Sequence, residues 1–343
     1  MNTPLPPGPL LVGLPGTELD GADRDVLRHP ATGGVVLFTR NFRSPAQVAD
    51  LTAAIRAESG RALVIAVDHE GGRVQRFRDG FTRLPPLALI GRMAEDDPAL
   101  AADLAYRHAR VMATELLLHG VDLSFAPVLD LGGCSEVIGD RALGATPEQV
   151  IELGRSYLAG MHDAGMAATG KHFPGHGSVA PDSHVADVTD PRSLEDIRAS
   201  DLRPFEALLD GLDAVMLAHV VYPAMDDCPA GYSSRWVRDF LRGELDYQGV
   251  VMSDDLGMHA ARVAGGLRAR LDATLKAGCD IALVCDPDDT RRLLDGLDGA
   301  PAPGDAVSRL AARSWPAREE IEQVPEWRQW RRSIEALGDP TWT

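Results

Sequence analysis

The feature that most constrains the fold of this sequence is an alternation of short apolar runs with longer stretches of helical periodicity. Eight runs rich in valine, isoleucine and leucine occur along the chain, at residues 10–14, 35–38, 63–67, 123–126, 167–169, 214–217, 250–252 and 281–284. Strands of a parallel sheet give such runs because helices cover both faces of the sheet. The fifth run is weak and is assigned largely from its position. Eight βα repeats favour a (β/α)8 TIM barrel over an open doubly wound sheet, and no Gly-x-Gly-x-x-Gly motif follows a predicted strand.

Two of the intervening segments begin with the residues expected at a helix N-terminus. Residues 44–47 read Ser-Pro-Ala-Gln and residues 146–149 read Thr-Pro-Glu-Gln. Each has a hydroxyl at the cap, proline at the first helical position and glutamine three residues after the cap. Gly60 and Gly120 follow helical segments and fit left-handed stops. These signals predict where two helices begin and where two helices end.

The length of the chain suits one large barrel, and no Pro/Ser-rich linker divides its 343 residues. We therefore expect a single domain over residues 1–343. From about residue 315 to residue 343 the chain carries Trp327, Trp330 and Trp342. We interpret this part as a C-terminal helical extension that packs on the barrel, because packing is a more common role for such tryptophans than ligand binding.

The charge balance argues against polyanionic partners. The chain has 34 Lys and Arg against 51 Asp and Glu, a formal net charge of −17, which repels nucleic acid and anionic membrane surfaces. Residues 1–16 lack a basic n-region, and no later run reaches the roughly 18 apolar residues of a spanning helix. The four cysteines are scattered without a CxxC pair, which indicates reduced thiols and no structural zinc. We expect a cytoplasmic protein that binds neither nucleic acid nor membranes.

The densest group of chemically active residues lies after the fifth run. Residues 170–177 read Gly-Lys-His-Phe-Pro-Gly-His-Gly, and residues 182–184 read Asp-Ser-His. Three histidines, a lysine and an aspartate thus fall within fifteen residues. The intervening glycine and proline exclude a helix interior or a regular central strand, so the segment is predicted as an ordered loop. A loop so rich in proton-transfer groups is typical of an active site.

Further polar residues follow other predicted strands, at the end of a barrel where active sites lie. Each of them has a structural reading by itself, for example as a helix cap or a surface ion pair. Their occurrence together at one rim favours a functional site instead. They are residues 68–73 after the third run, Arg141 on the loop after the fourth, Lys171 and His172 after the fifth, His219 after the sixth, Asp254 and Asp255 after the seventh, and Asp286 after the eighth.

This set of side chains can carry out retaining glycoside hydrolysis, which needs a nucleophilic carboxylate and a group that first donates and then accepts a proton. Asp254 is the candidate nucleophile, with Asp255 as the competing choice. His184 is the candidate proton carrier, because an imidazole titrates near neutral pH and Asp182 can orient it. The residues predicted to hold the sugar hydroxyls and amide are Asp68, Arg76, Arg141, Lys171 and His172.

These motifs closely resemble those of the single-domain bacterial β-N-acetylhexosaminidases of glycoside hydrolase family 3. The resemblance extends from about residue 34 to residue 285, most of the chain. Its most specific part is Lys-His-Phe-Pro-Gly-His-Gly followed by Asp-Ser-His. The matching segments are residues 34–41, 67–77, 170–177, 182–184 and 253–258.

The resemblance implies a (β/α)8 barrel with Asp254 as nucleophile, His184 as acid/base and Asp182 as its orienting partner. The implied binders of N-acetylglucosamine are Asp68, Arg76, Arg141, Lys171 and His172. It further implies a mobile acid/base loop at about residues 173–185 and no metal or organic cofactor. The implied role is cytoplasmic peptidoglycan recycling, in which β-1,4-linked N-acetylglucosamine is removed from anhydro-N-acetylmuramic acid and its peptides. We expect a monomer acting on a small muropeptide or N-acetylglucosaminide.

Other functions stay open at this point. A β-glucosidase or an N-acetylglucosaminide phosphorylase could use the same barrel, and turnover with and without phosphate separates the second of these. A metal-dependent hydrolase could use His172, His176, Asp182 and His184, although Pro174 argues against the helix that would align the first two histidines. A sugar-binding protein without turnover would have no need of the Asp182–His184 pair.

Overall fold

The computed structural model describes residues 7–183, 186–297 and 304–337. Its main sheet has eight parallel strands, and a separate antiparallel hairpin has two. The strands are β1 (Leu10–Gly13), β2 (Thr32–Leu37), β3 (Val64–Val67), β4 (His69–Gly71), β5 (Val74–Gln75), β6 (Leu123–Ser124), β7 (Thr169–Phe173), β8 (Ala214–Leu217), β9 (Val250–Asp255) and β10 (Ile281–Val284). The main sheet has the order β6-β3-β2-β1-β10-β9-β8-β7.

Backbone hydrogen bonds join the two edge strands of this sheet. Thr169 N donates to Ala126 O over 2.7 Å, and Leu129 N donates to Lys171 O over 2.8 Å. These bonds connect the segment after β6 to β7, so the eight strands curve round into a barrel. The predicted (β/α)8 TIM barrel is therefore confirmed.

Helices surround the barrel and begin where the sequence predicts. Ser44 and Thr146 accept the backbone N–H of Gln47 and Gln149 through their hydroxyls, while Gly60 and Gly120 are left-handed, with φ of 62° and 78°. The α-helices are α1 (Gly21–Arg28), α2 (Pro45–Ser59), α3 (Leu87–Met93), α4 (Pro98–Leu118), α5 (Pro147–Ala164), α6 (Leu194–Ala199), α7 (Leu202–Leu208), α8 (Leu267–Ala277), α9 (Pro287–Asp295), α10 (Ala306–Arg309), α11 (Arg318–Gln323) and α12 (Pro325–Glu335). Short 3-10 helices span Thr39–Asn41, Gly139–Arg141, Leu209–Gly211, Ala230–Tyr232 and Ala260–Ala264, and a π-helix spans Arg235–Glu244.

The barrel interior is apolar and is covered at one end. Leu11, Val36, Met216 and other strand residues form a buried cluster that also includes Val307 of α10. Val307 lies against Gly33, near the start of β2, so α10 covers the amino-terminal end of the strands. The carboxyl-terminal end is left for the polar residues.

The fifth strand differs from its prediction. The apolar run predicts residues 167–169, whereas β7 spans Thr169–Phe173 and includes Lys171 and His172. Likewise, β9 continues through Asp254 and Asp255. The apolar pattern stops short of the strand ends because side chains there face a polar site instead of the core. The hairpin formed by β4 and β5 was not predicted.

The C-terminal helices contact the outer side of the barrel. Trp330 on α12 packs edge-on against Tyr106 of α4, with ring centroids 6.2 Å apart. Arg331 Nε lies 3.1 Å from Glu115 of α4 and donates to the Thr82 hydroxyl over 2.7 Å. Trp342 lies outside the described residues. Within the described part of the chain, no helix combines the length and apolar character needed to cross a bilayer.

Candidate active site

A cavity of about 410 Å³ opens at the carboxyl-terminal end of the barrel strands. Ends of several strands and the loops that follow them line it, as in other TIM barrels. Seven of the eight predicted site residues line this cavity: Asp68, Arg76, Arg141, Lys171, His172, Asp182 and Asp254. The eighth, His184, lies outside the described residues.

One wall of the cavity is formed by Asp68, Arg76, Arg141 and Lys171. Together with the buried Glu70 behind them, these residues form a group of paired charges, here called the charge cluster. Glu70 accepts two hydrogen bonds from Arg141, each over 2.8 Å. Lys171 Nζ lies 2.7 Å from Asp68 and 2.5 Å from Glu70, and Arg76 is 3.6 Å from Asp68. Sequence reasoning missed Glu70 as a site residue, although it lies within the polar segment 68–73 that was singled out.

In the charge cluster, the pKa values of Glu70, Lys171 and Arg141 are shifted in favour of their charged forms because these three side chains lie against opposite charges. Burial alone would raise the pKa of Glu70, but Arg141 and Lys171 outweigh it and hold that pKa well below its usual range. Burial would lower the pKa of Lys171, but Asp68 and Glu70 raise it overall. Burial would also lower the pKa of Arg141, but its ion pair with Glu70 raises that pKa overall. The Asp68 and Glu70 carboxylates therefore favour the protonated ammonium of Lys171, which donates hydrogen bonds.

Asp130 orients His172 from beneath the cavity. Its fully buried carboxylate accepts the His172 ring Nδ1–H over 2.6 Å and the His172 backbone N–H over 3.1 Å. Burial would raise the pKa of Asp130, but His172 outweighs it and the pKa is lowered. Holding Nδ1 in this way leaves Nε2 as the ring nitrogen available to the cavity. Asp130 was also missed; its only sequence signal is its position after the apolar pair Val128-Leu129.

The two adjacent aspartates of β9 have different surroundings. Asp255 Oδ1 accepts the backbone N–H of Gly257 over 3.0 Å and of Cys285 over 3.1 Å. Asp255 thereby connects the ends of β9 and β10. Asp254 and Asp255 both line the cavity, and Asp254 accepts the N–H of Asp255 over 2.7 Å. The two backbone hydrogen bonds to Asp255 Oδ1 are the observation that favours Asp254 over Asp255 as the candidate nucleophile.

The loop after β7 brings Asp182 to the cavity. Ser183, the next residue, is buried and its hydroxyl lies 3.0 Å from Nε2 of His176. The carbonyl of Ser183 accepts the N–H of Ala260 over 3.1 Å. Asp182 therefore reaches the site from a loop, whereas Asp254 and Lys171 reach it from strands.

Asp286 and His219, which were also predicted at the rim of the barrel, lie outside the cavity. Asp286 caps α9, accepting the N–H of Asp288 and Asp289 over 3.0 and 2.9 Å. His219 is buried beside the backbone of Asp254, and burial lowers its pKa against the influence of the Asp254 carboxylate. Neither residue lines the cavity.

The residues described give no metal centre. In residues 7–183, 186–297 and 304–337, no group of three or more His, Cys, Asp or Glu side chains is arranged to hold a metal ion. His172 and His176, two members of the alternative metal-ligand set, direct ring nitrogens to Asp130 and to Ser183 respectively.

Known proteins share both the sequence and the fold of this chain. The glycosyl hydrolase family 3 N-terminal domain matches residues 12–312. A β-hexosaminidase of Stenotrophomonas maltophilia is 54% identical over 291 residues, which cover 84% of this chain and 87% of that protein. Native NagZ from Neisseria gonorrhoeae superposes with a TM-score of 0.91 at 42% identity, covering 98% of this chain and 99% of that chain. The gonococcal protein has also been solved in complex with N-trifluoroacetyl-D-glucosamine, with the same TM-score and identity.

Proposed function

Because the chain belongs to glycosyl hydrolase family 3 and is a glycoside hydrolase of the β-hexosaminidase type, we propose that it is a retaining β-N-acetylglucosaminidase that uses Asp254 as its nucleophile. The observation that carries this proposal is the cavity that Asp254 and Asp182 line together with Asp68, Arg76, Arg141 and Lys171 of the charge cluster. A carboxylate fixed at a strand end, beside fixed hydroxyl-binding groups, is what attack on a sugar carbon requires.

In the proposed first step, the Asp254 carboxylate attacks the anomeric carbon while His184 donates a proton to the glycosidic oxygen. The bond to the leaving sugar breaks, and a covalent glycosyl-Asp254 ester forms. In the second step, the now neutral His184 accepts a proton from water, which attacks the same carbon and releases Asp254. Two inversions give net retention of the β configuration. Asp182 supports the imidazolium charge and orients the ring.

The charge cluster and His172 are proposed to bind the N-acetylglucosamine unit. Sugar hydroxyls both donate and accept hydrogen bonds, so a wall with ionised carboxylates and cations can satisfy each of them. Asp68 and Arg76 are the least buried of the paired charges in this wall, with side chains 22% and 30% exposed. The complex of gonococcal NagZ with N-trifluoroacetyl-D-glucosamine supports an amide-bearing sugar as the ligand.

We further propose that the aglycone is anhydro-N-acetylmuramic acid or its peptide derivatives, and that the protein acts as a cytoplasmic monomer in peptidoglycan recycling. The support is the resemblance of residues 170–177 and 182–184 to peptidoglycan-recycling members of the family. The net charge of −17 supports the absence of nucleic-acid and membrane partners. We propose catalysis without metal or cofactor, so a chelator is expected to leave turnover unchanged.

The test is release of 4-nitrophenol from its β-N-acetylglucosaminide, with native protein, Asp254→Asn and Asp255→Asn. We expect native turnover that phosphate does not accelerate, and activity abolished in Asp254→Asn. Asp255→Asn is expected to retain turnover in the folded fraction, because that carboxylate binds backbone N–H groups. Turnover that requires phosphate would make the protein a phosphorylase, and cleavage of only the matching glucoside would make it a β-glucosidase.

A further inference from the structure

His176 is a buried histidine beside the cavity to which the proposed mechanism assigns no role. It is the second histidine of the 170–177 motif, and the residue is 2% exposed. Its backbone N–H donates to Asp130 Oδ1 over 2.7 Å. The same carboxylate orients His172, so the backbone of His176 is fixed to the wall of the site.

The ring of His176 lies between two serine hydroxyls. Nε2 is 3.0 Å from Ser183 Oγ, and Nδ1 is 3.5 Å from Ser135 Oγ. Burial lowers the pKa of His176 against the opposing influence of Asp130, so the ring is neutral and has one donor and one acceptor nitrogen. A hydroxyl can take either role, and one tautomer therefore satisfies both contacts. His176 thus connects the loop after β6, which carries Ser135, to the loop after β7.

The contact between His176 and Ser183 matters because of the residues on either side of Ser183. Ser183 is flanked in sequence by Asp182 and His184, the proposed orienting acid and proton carrier. Its hydroxyl contacts His176 and its carbonyl accepts the N–H of Ala260. Earlier in the same loop, the carbonyls of Gly177 and Ala180 accept N–H groups from the loop after β6. Those bonds fix the start of the loop, and the His176–Ser183 contact fixes the residue between the members of the pair.

We infer that His176 is a positioning residue: through its contact with Ser183 it fixes the backbone next to Asp182, the proposed orienting acid of the proton-transfer pair. The inference rests on the proposed function, because it assumes that His184 is the acid. A displacement of about 1 Å at a reacting group can cost about 100-fold in rate. The loss falls on the proton-transfer step, and proton donation matters most when the leaving group is a poor one.

The test is the leaving-group dependence of kcat/KM over aryl β-N-acetylglucosaminides, from 2,4-dinitrophenyl to phenyl. The variants are His176→Ala, His176→Gln and Ser183→Ala. Ser178→Ala is the matched control, because its hydroxyl lies in the same loop but donates to Asp201 over 2.9 and 3.0 Å. We expect His176→Ala and Ser183→Ala to be nearly native on the dinitrophenyl substrate and about 10- to 100-fold slower on the phenyl substrate.

His176→Gln is expected to recover part of this loss, since its amide retains a hydrogen-bonding group near the position of Nε2. Ser178→Ala is expected to keep the native leaving-group slope. Equal losses on all substrates, or an unchanged slope in both His176→Ala and Ser183→Ala, would overturn the inference. If His176→Ala does not fold, Ser183→Ala decides, because it removes the same contact by deleting one hydroxyl.

His184→Ala separates this inference from the proposed function. The proposed function predicts a steeper slope in His184→Ala and recovery of dinitrophenyl substrate turnover by azide, which attacks the glycosyl-enzyme without needing a base and yields a β-glycosyl azide. If His184→Ala lacks both effects, the acid/base assignment fails. If it has both and the Ser183→Ala slope is native, only the positioning role of His176 fails.

Discussion

The site consists of two halves that are held in different ways. In the strand-borne half, Lys171 and Asp254 lie within β7 and β9, and Lys171 contacts two carboxylates within 2.7 Å. In the loop-borne half, Asp182 precedes Ser183, whose hydroxyl contacts His176 and whose carbonyl accepts the N–H of Ala260. Under the proposed function, sugar binding thus uses buried ion pairs on strands, whereas proton transfer uses a loop whose Ser183 is held by neutral hydrogen bonds.

The largest effect is expected from Asp254→Asn. The amide keeps the shape of the side chain but cannot form the glycosyl ester, so kcat should fall by roughly 10⁴-fold or more on every leaving group. In His176→Ala and Ser183→Ala, in contrast, the loss of activity should depend on the leaving group. Steady-state kinetics with dinitrophenyl and phenyl substrates, together with circular dichroism to verify folding, make the comparison. A loss in Asp254→Asn that grows as the leaving group worsens would assign Asp254 to proton transfer instead.

The next largest difference between the strand-borne and loop-borne halves is expected in the free energy of unfolding of variants. Glu70→Gln leaves Arg141 and Lys171 buried without their shared anion, and we expect a loss of about 3 kcal/mol in the free energy of unfolding. Ser183→Ala removes only a neutral hydroxyl contact and should cost about 1 kcal/mol. Urea unfolding of both variants at pH 7 measures the difference. Equal losses would show that the loop-borne half is fixed as strongly as the strand-borne half.

The effect of Glu70→Gln on the free energy of unfolding should depend on pH, because it removes an ionised group. The pKa of Glu70 is lowered in the folded protein from an ordinary value of 4.5. The stabilising contribution of Glu70 is therefore fully present above that value and is lost as the pH falls below it. The stability difference between native protein and Glu70→Gln should shrink on going from pH 7 to pH 3. A difference that stays constant over this range would contradict the ionised charge cluster.

The smallest effect is expected outside both halves, at Arg331 of α12. Its side chain is 38% exposed and pairs with Glu115, so Arg331→Ala should cost about 1 kcal/mol of stability. Values of kcat and KM should not change, because Arg331 does not line the active-site cavity. Thermal unfolding and the 4-nitrophenyl assay test both statements. A raised KM would indicate that the C-terminal helices take part in substrate binding.

The sequence predicts the barrel well because apolar runs mark buried strands. It is weakest at β7, where Gly170, Lys171 and His172 interrupt that pattern within the strand itself. The residues at the strand ends were found from their chemical types and from motif resemblance.

Glu70 and Asp130 were missed because their roles depend on partners distant in sequence. Glu70 pairs with Arg141 across 71 residues, and Asp130 pairs with His172 across 42. The spacing of residues within a motif does not predict contacts between residues so far apart in the sequence. Only the folded barrel brings a carboxylate after one strand to a cation or imidazole that follows another.

The most direct test of the account is to trap the proposed glycosyl-enzyme. A 5-fluoro glycosyl fluoride of N-acetylglucosamine should react quickly and hydrolyse slowly, because the ring fluorine destabilises the oxocarbenium-like transition states while fluoride remains a good leaving group. Mass spectrometry should find one fluorinated sugar per chain, attached to Asp254 in the peptide map and absent from Asp254→Asn. A sugar attached to Asp255, or turnover of the reagent by Asp254→Asn at the native rate, would contradict the assignment of Asp254 as the nucleophile.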